Sequence, residues 1–468
     1  MLQALRRYDA ASPDVVRDWV SQVKSINQDL REQGEALRAR ARDLEQNNDY
    51  ASRYLNLVET NIIGEGIKLQ AKARTSRNKL DNRVNRLIER EFSAWTEATN
   101  CSLDGRLDWS DIQRLVARTV ARDGEVIVRM VREPEFRIAI YDADFLDYNL
   151  NREAGKAGNA ILQGIEVNGQ GRPVAYYLWK QPPNKVPSLF GAPAKTPNVN
   201  SYERVDAKDI LHIYRSERPN QIRGATWLAP VMIHLLMLNR YERAEMRAAE
   251  LAASKVGYYK TPTGDYLEDE KDADTWGLPS SIGGVGFTEL PAGTELAMLD
   301  PSHPVSAYQS YVSGVLRGIA SGLNVTYHAL SSDLTAVNFS SIRAGTIEER
   351  DNWRKWQQFF ISHLMRPIFS AWLESNRDRL QVAATAADAQ FVPRGWTWVD
   401  PVKDLQAHQM AYGLGVTSLT DIAASQGRDL EEVFDQRRKE QEMLAEFGIE
   451  IGNQPAVMPQ EDTPDGTV

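Results

Sequence analysis

The stretch SSDLTAVNFSSIRAGTIEERDNWRKWQQFFISHLMRPIFSAW, residues 331–372, is the one around which the rest of the chain is organised. It opens on a polar loop of Ser, Asp, Thr and Asn and passes without a break into a long helical pattern. Trp353, Trp356, Phe360, Leu364, Ile368 and Trp372 recur three or four residues apart, which puts large rings and aliphatic groups on one face of a helix. So much apolar area belongs in a core. Asp351 and Lys355 stand four apart on another face, where such pairs give weak support. At 1.5 Å per residue the helix reaches roughly 45 Å, and Pro367 is expected to kink it near its end. Two readings stand on pattern alone: an ordinary core helix behind an ordinary loop, or a strut holding a mobile segment.

With 468 residues the chain exceeds the roughly 250–300 at which one core stops growing, so two or more domains, or one elongated subunit, are expected. The single cysteine, Cys101, cannot form an internal disulfide, and the opening MLQALRRYDAASPD lacks the apolar run of a secretory signal. A reducing cytoplasm is the expected place of synthesis. The best apolar run, VMIHLLML at 231–238, is too short to cross a membrane. A net charge of −9 argues against tight binding of nucleic acid through its phosphates, which needs a dominant basic face. No repeat of 20–50 residues is visible.

In chain order, Ser12, Pro13 and Asp14 form a helix start, and helix is expected to about Asn47. Its second half, LREQGEALRARARDLEQ, is so charged that it is expected on a surface or against another subunit. Asp49 is expected to cap a shorter helix with Tyr50, Tyr54, Leu57, Val58 and Ile62 on its apolar face, closed by Gly64. Residues 67–73 alternate like a strand. Two further helices follow, one with Leu80, Val84, Leu87, Ile88, Phe92 and Trp95 inward, the other ended by Gly124. From Glu125 the period changes from 3.6 to 2, as in EVIVRMVRE and PVAYYLWKQ, and one antiparallel sheet packed on the helices is expected. Pro230 opens a helix to about Lys255. A β-like, loop-rich insert occupies 257–301, and helix returns in PVSAYQSYVSGVLRGIASGL, with Ser310, Ser313, Gly314, Gly318 and Ser321 allowing close approach of a neighbour. The C-terminal region reads as capped helices ending in a disordered tail, residues 451–468.

A search for chemistry yields little. The six histidines have no HxxxH or HExxH spacing to hold a metal. No phosphate-binding glycine loop stands between a strand and a helix, and Ser332 and Ser340 have no neighbouring base. Asp142, Asp144 and Asp147 offer carboxylates for Mg²⁺ and phosphoryl transfer, although DADFLD after a strand reads more simply as a hydrogen-bonded turn. The run LEDEKDAD at 267–274 reads as a solvated loop or as a docking patch for a basic partner. The residues thus describe an α+β scaffold with no recognisable catalytic site and no expected cofactor.

RARARDLEQNNDYASRYLNLVETNIIGEGIKLQ (38–70), WSDIQRLVARTVARDGEVIVRM (109–130), RPNQIRGATWLAPVMIHLLMLNRYERAEMRAAELAA (218–253), LPAGTELAMLDPSHP (290–304), LTAVNFSSIRAG (334–345) and GWTWVDPVKD (395–404), in this order, resemble the lambda-type portal proteins of tailed bacteriophages. That resemblance implies an elongated α+β subunit in a ring of about twelve copies, filling one vertex of a capsid and forming the channel for DNA. Residues 1–225 are then a wing, 226–256 a first stem helix, 257–301 a clip, 302–323 a second stem helix and 324–340 a channel loop. Residues 341–400 form the long helix and the rest of the wing, and 401–450 a crown. The channel-loop candidates are Asn324, Tyr327, Ser331, Ser332, Asp333, Thr335, Asn338 and Ser340, with no Lys or Arg in the segment. The clip candidates for partner docking are Glu268, Asp269, Glu270, Asp272 and Asp274. Implied partners are the terminase packaging motor, the major capsid and scaffold proteins, a head-tail joining adaptor, and double-stranded DNA passing without sequence preference. The implied location is the portal vertex of the virion, after synthesis in the host bacterial cytoplasm. Rival readings are a metal-dependent nuclease on Asp142, Asp144 and Asp147, and a scaffold that binds only proteins.

Overall fold

The structure is a computed structural model that describes residues 23–75, 77, 79–153, 158–180, 201–253, 257–260, 295–298, 308–335, 339–382, 388–396, 401–426, 428 and 430–447. The helix start at Ser12, the clip acids, Asn338 and the C-terminal tail lie outside these residues.

Helix α1 (Ile26–Asn47) is capped by the Ser25 side chain, and α2 (Asp49–Val58) by Asn48 rather than by Asp49. After α2 one π-turn runs to Ile63, and Gly64, at φ +62, turns the chain out of it. Strand β1 (Lys68–Ala71), α3 (Asn82–Trp95), the single turn α4 (Ala98–Cys101) and α5 (Trp109–Asp123) follow, with Gly124 at φ +91 ending α5 in the left-handed region.

The period-2 region forms two sheets instead of the one expected. Strands β2 (Glu125–Val131), β3 (Arg137–Tyr141) and β8 (Ile210–Tyr214) make an antiparallel sheet in the order β3-β2-β8. A second has the order β4 (Ala160–Leu162), β5 (Ile165–Val167), β6 (Pro173–Trp179) and β7 (Tyr202–Asp206). Ile127, Leu146, Ile165, Tyr176, Leu178, Val205 and Ile210 fill a small core of their own. Alternation fixes which side chains face inward, but not how many sheets the strands make.

One face of helix α1 is on the surface as expected, with Arg31, Glu32, Glu35, Arg40 and Asp43 exposed. The other face buries Leu30, Gly34, Arg38, Ala41 and Leu44, and the charges on that side pair within the subunit. Arg42 pairs with Asp123 (2.8 Å), Asp142 (2.5 Å) and Asp144 (2.6 Å), Arg38 with Asp144 (2.8 Å), and Glu45 with Arg118 (2.7 Å) and Arg122 (2.9 Å). At the centre Glu125, fully buried, accepts from Arg223, His212, Arg38 and the Gly224 N–H. Burial pushes its carboxyl up, but the charge of Arg223 and the hydrogen bond from His212 overcome this and hold it well below the usual carboxylate range. Here the chain also crosses itself, since a Cβ on Gly224 would lie 2.1 Å from the Gly124 carbonyl oxygen.

Helix α6 (Met232–Ala253) runs antiparallel to α7 (Tyr308–Gly322). Val231 touches Gly322 at one end, and Tyr241 meets Tyr308 and Tyr311 (ring centroids 5.9 and 5.0 Å) further along. Strands β9 (Gly257–Lys260) and β10 (Glu295–Met298) pair with each other within the insert between α6 and α7. A short α8 (Tyr327–Ser331) then leads to the long helix, α9 (Phe339–Phe360) and α10 (Arg366–Leu380) joined by a π-turn over Ile361–Met365. The helix continues through Pro367: one wider turn just before the proline accommodates the hydrogen bond that proline cannot donate.

The aromatic stripe is buried as its spacing requires, with Trp353 at 2%, Phe360 at 0% and Trp372 at 1% exposure. Trp356 stacks at 4.2 Å on Trp227, and Trp372 meets Phe92 edge-on at 5.0 Å. Gln357 ties this spine to the carbonyls of Asn61 and Arg394. Strand β11 (Ala389–Val392) pairs with β1, and α11 (Pro401–Gly413), α12 (Leu419–Ser425) and α13 (Leu430–Phe447) complete the chain.

Candidate functional site

The segment from Leu323 to Thr335 connects α7 to the long spine and is more ordered than its polar composition implies. Helix α7 ends in a left-handed Asn324 (φ +54), with the Val325 N–H bonding the Ala320 carbonyl and the Asn324 N–H that of Ser321. This is the six-to-one and five-to-two pattern of a helix end closed by a left-handed residue, and asparagine tolerates that conformation. Val325 and Leu330 are buried at 8% and 2% exposure. Two buried apolar anchors and a helical turn therefore hold the first half of the 324–340 segment.

The polar candidates hold one another. Ser331 donates to the Tyr327 carbonyl (2.8 Å), the Tyr327 hydroxyl to Asp333 Oδ2 (2.9 Å), and the Thr335 N–H and hydroxyl to Asp333 Oδ1 (2.9 and 2.6 Å). These bonds, led by that from the Thr335 side chain, lower the Asp333 pKa. Ser332 ends α8 at φ +57, and Leu334 is 60% exposed. Ser340 falls in the first turn of α9. The segment has no Lys or Arg of its own, but the fold supplies one cation, since Arg317 of α7 lies 5.2 Å from the centre of the Tyr327 ring. Reading the loop by itself misses this. It also misses Glu349, which accepts from the Thr326 N–H (3.0 Å) and hydroxyl (2.6 Å). The available signal was the spacing of Glu349 and Trp353, one turn apart on the spine.

Asp142, Asp144 and Asp147 do not form a metal cluster. The first two are bound by Arg42, Arg38 holds Asp144 from the other side, and Asp147 accepts the Tyr202 hydroxyl at 2.6 Å. Among the described residues no group of three potential ligands is positioned for a metal ion, and no helix is long and apolar enough to cross a membrane.

The α6–α7 pair leaves apolar surface open. Ile233, Leu236, Met237 and Met246 of α6 are 55%, 38%, 62% and 64% exposed. On α7 a Cβ at Gly314 or Gly318 would meet nothing within 4 Å.

The family model of the phage portal protein, lambda family, matches residues 13–357. A probable portal protein of Halomonas phage phiHAP-1 is 33% identical over 432 residues, covering 89% of this chain and 82% of the relative. Portal protein B of Escherichia phage lambda is 22% identical over 470 residues, covering 91% and 87%. Among solved structures, a chain from the virion of a native gene transfer agent particle aligns with TM-score 0.45 and 12% identity over 83% of this chain and 91% of its own. A portal protein of the HK97 family from Corynebacterium diphtheriae aligns at 0.34 and 13%, over 76% and 93%. At TM-scores this low the assignment rests on the sequence matches, whose extent makes it firm: the chain belongs to the lambda family of phage portal proteins, and its role is that of a structural portal component.

Proposed function

We propose that copies of this chain close into a ring whose lumen is the DNA channel at one capsid vertex, a structural rather than an enzymatic part of packaging and ejection. The observation that carries this reading is the placing of the antiparallel α6–α7 pair. The β9–β10 pair follows α6 and precedes α7 at one end, and residues 323–335 continue from α7 at the other. In such a ring residues 226–256 and 302–323 are the stem, the insert is an external clip, 324–340 line the channel, and 401–450 form a crown. Residues 1–225 and 341–400 make the wing. Exposed apolar groups on α6 and open glycine positions on α7 are different surfaces of one subunit, and contacts between unlike surfaces generate rings when the rotation closes. The open apolar groups of the C-terminal region, such as Met410 in α11 (70% exposed) and Leu414 in the turn after it (79%), fit a further contact between copies.

The partners in this reading are the terminase motor, docking on Glu268, Asp269, Glu270, Asp272 and Asp274, with capsid, scaffold and adaptor proteins around the wing and clip. DNA passes a surface formed by Asn324, Tyr327, Ser331, Ser332, Asp333, Thr335, Asn338 and Ser340. Few cations there means few released counterions and a weak, sequence-independent grip. Native mass spectrometry tests the ring: about twelve subunits are expected, and a stable monomer at micromolar concentration across salt conditions refutes it. Replacing Asp333 and Asn338 by Lys tests the channel. Slowed packaging that recovers with salt is expected, and parental packaging at low salt removes this segment from the lumen.

A further inference from the structure

Glu349 is where the long spine holds the segment before it. Its Oε2 accepts both the N–H and the hydroxyl of Thr326 (3.0 and 2.6 Å), while its Oε1 accepts the indole N–H of Trp353 (3.0 Å). Trp353 lies one helical turn further on and is 2% exposed, so the carboxylate is fixed from behind by the core as it grips the segment in front. Two neighbours on the same helix assist. The Asn352 side chain donates to the Asn324 carbonyl (3.2 Å), and a Cβ at Gly345 would lie 3.2 Å from the Thr326 methyl. From α2 the Arg53 guanidinium donates to the Ala329 carbonyl (3.1 Å).

These contacts divide the segment. Residues 324–330 form a root tied to α2 and α9. The side-chain bonds given above for Ser331, Asp333 and Thr335 stay within residues 327–335. A carboxylate suits the root because it offers acceptor sites on both oxygens, and charge-assisted bonds are roughly twice as strong as neutral ones. A glutamine has one acceptor oxygen, so it must release either the Trp353 indole N–H or the Thr326 backbone N–H.

We propose that Glu349 is a positioning residue for DNA passage: it fastens the root of the channel segment to the wing and so fixes how far the tip stands from the channel axis. This rests on the reading of residues 324–340 as the DNA-facing segment. The fastening itself does not depend on that reading, and the test separates the two.

Full-length protein is assembled with Glu349→Gln, Thr326→Val or Thr326→Ser, and amide hydrogen exchange is followed together with packaging and retention of DNA in particles. Glu349→Gln and Thr326→Val are expected to speed exchange across residues 324–331 by about tenfold and to leave residues 366–380 unchanged. Thr326→Ser, which keeps both donors, matches the parent, and the double variant Thr326→Val/Glu349→Gln exchanges no faster than the faster single one. Looser roots are expected to release DNA sooner from filled particles. Parental exchange in both Glu349→Gln and Thr326→Val, or strictly additive effects, overturns the proposal. Faster exchange with parental packaging and retention leaves the fastening in place and removes the DNA-facing placement instead. Should Glu349→Gln fail to assemble, Thr326→Val, which trades one hydroxyl for a methyl, reads the same bond.

Discussion

Changing Glu125 to glutamine keeps its shape and removes its charge, and so isolates what the buried ion network contributes. In the native protein this carboxylate faces Arg223, which is 0% exposed, Arg38, at 3%, His212 and the Gly224 N–H. Neutralising it leaves the buried Arg223 guanidinium without its carboxylate, while Arg38 keeps Asp144 (2.8 Å); such a loss typically costs about 3–5 kcal/mol. One remaining carbonyl oxygen can still accept from Gly224 or Arg223, which places the expected cost near about 3 kcal/mol. For a chain of 468 residues the entropy of unfolding is about 1 kcal/mol/K, so the midpoint of thermal unfolding should fall by about 3 °C. Calorimetry and urea unfolding measure this, and Arg223→Met alone and combined with Glu125→Gln complete the cycle. The double variant should lose about 1–3 kcal/mol less than the sum, because it no longer buries an unpaired Arg223. A Glu125→Gln protein within about 0.5 kcal/mol of the parent refutes the argument.

Acid should act on the same network. A carboxyl held below its unfolded pKa stabilises the fold at pH above about 4.3 and loses that contribution as pH falls through the folded value; Glu125 and Asp123 are both lowered. Stability is therefore expected to decline below about pH 4.3, less steeply in Glu125→Gln, as read by urea midpoints across pH. Gly224→Ala drives a methyl into the Gly124 carbonyl and should cost at least about 3 kcal/mol, seen as lost soluble yield or a lowered melting temperature. Gly314→Leu points into open space on one subunit, so subunit melting should hold while native mass spectrometry shows the ring weakened. Reversing the charges of Glu268, Asp269, Glu270, Asp272 and Asp274 should weaken motor binding, with the difference shrinking as salt rises. Unchanged binding at low salt moves the docking surface elsewhere.

The aromatic stripe of the spine was legible because periodicity and side-chain size report burial directly, and Trp353 through Trp372 are buried as spaced. Helix ends at Gly64 and Gly124 were legible for a local reason, the cost of positive φ to any residue with a Cβ. The order helix, β insert, helix between Pro230 and Leu323 was also plain. Other features were out of reach. The charged face of α1 looks solvated in the sequence, yet Arg38 and Arg42 point inward, because their partners come from Asp123 and Glu125 and from the turn at Asp142 and Asp144, far along the chain. Charge pattern shows that a residue needs a partner, not where the partner is.

By itself, then, the sequence determined most of the helices, the buried aromatic face of the spine, the change to strand period at Glu125, and, through long ordered similarity, membership of the lambda portal family. Tertiary structure alone decided that the strands make two sheets, that the three acids of DADFLD are taken by arginines and a tyrosine rather than gathered for a metal, and that residues 324–330 are anchored through Glu349 and Arg53. The physical reason is range. Periodicity and capping act over three or four residues and are written locally, whereas an ion pair or a sheet register joins residues tens to hundreds of positions apart and exists only once the chain has closed upon itself.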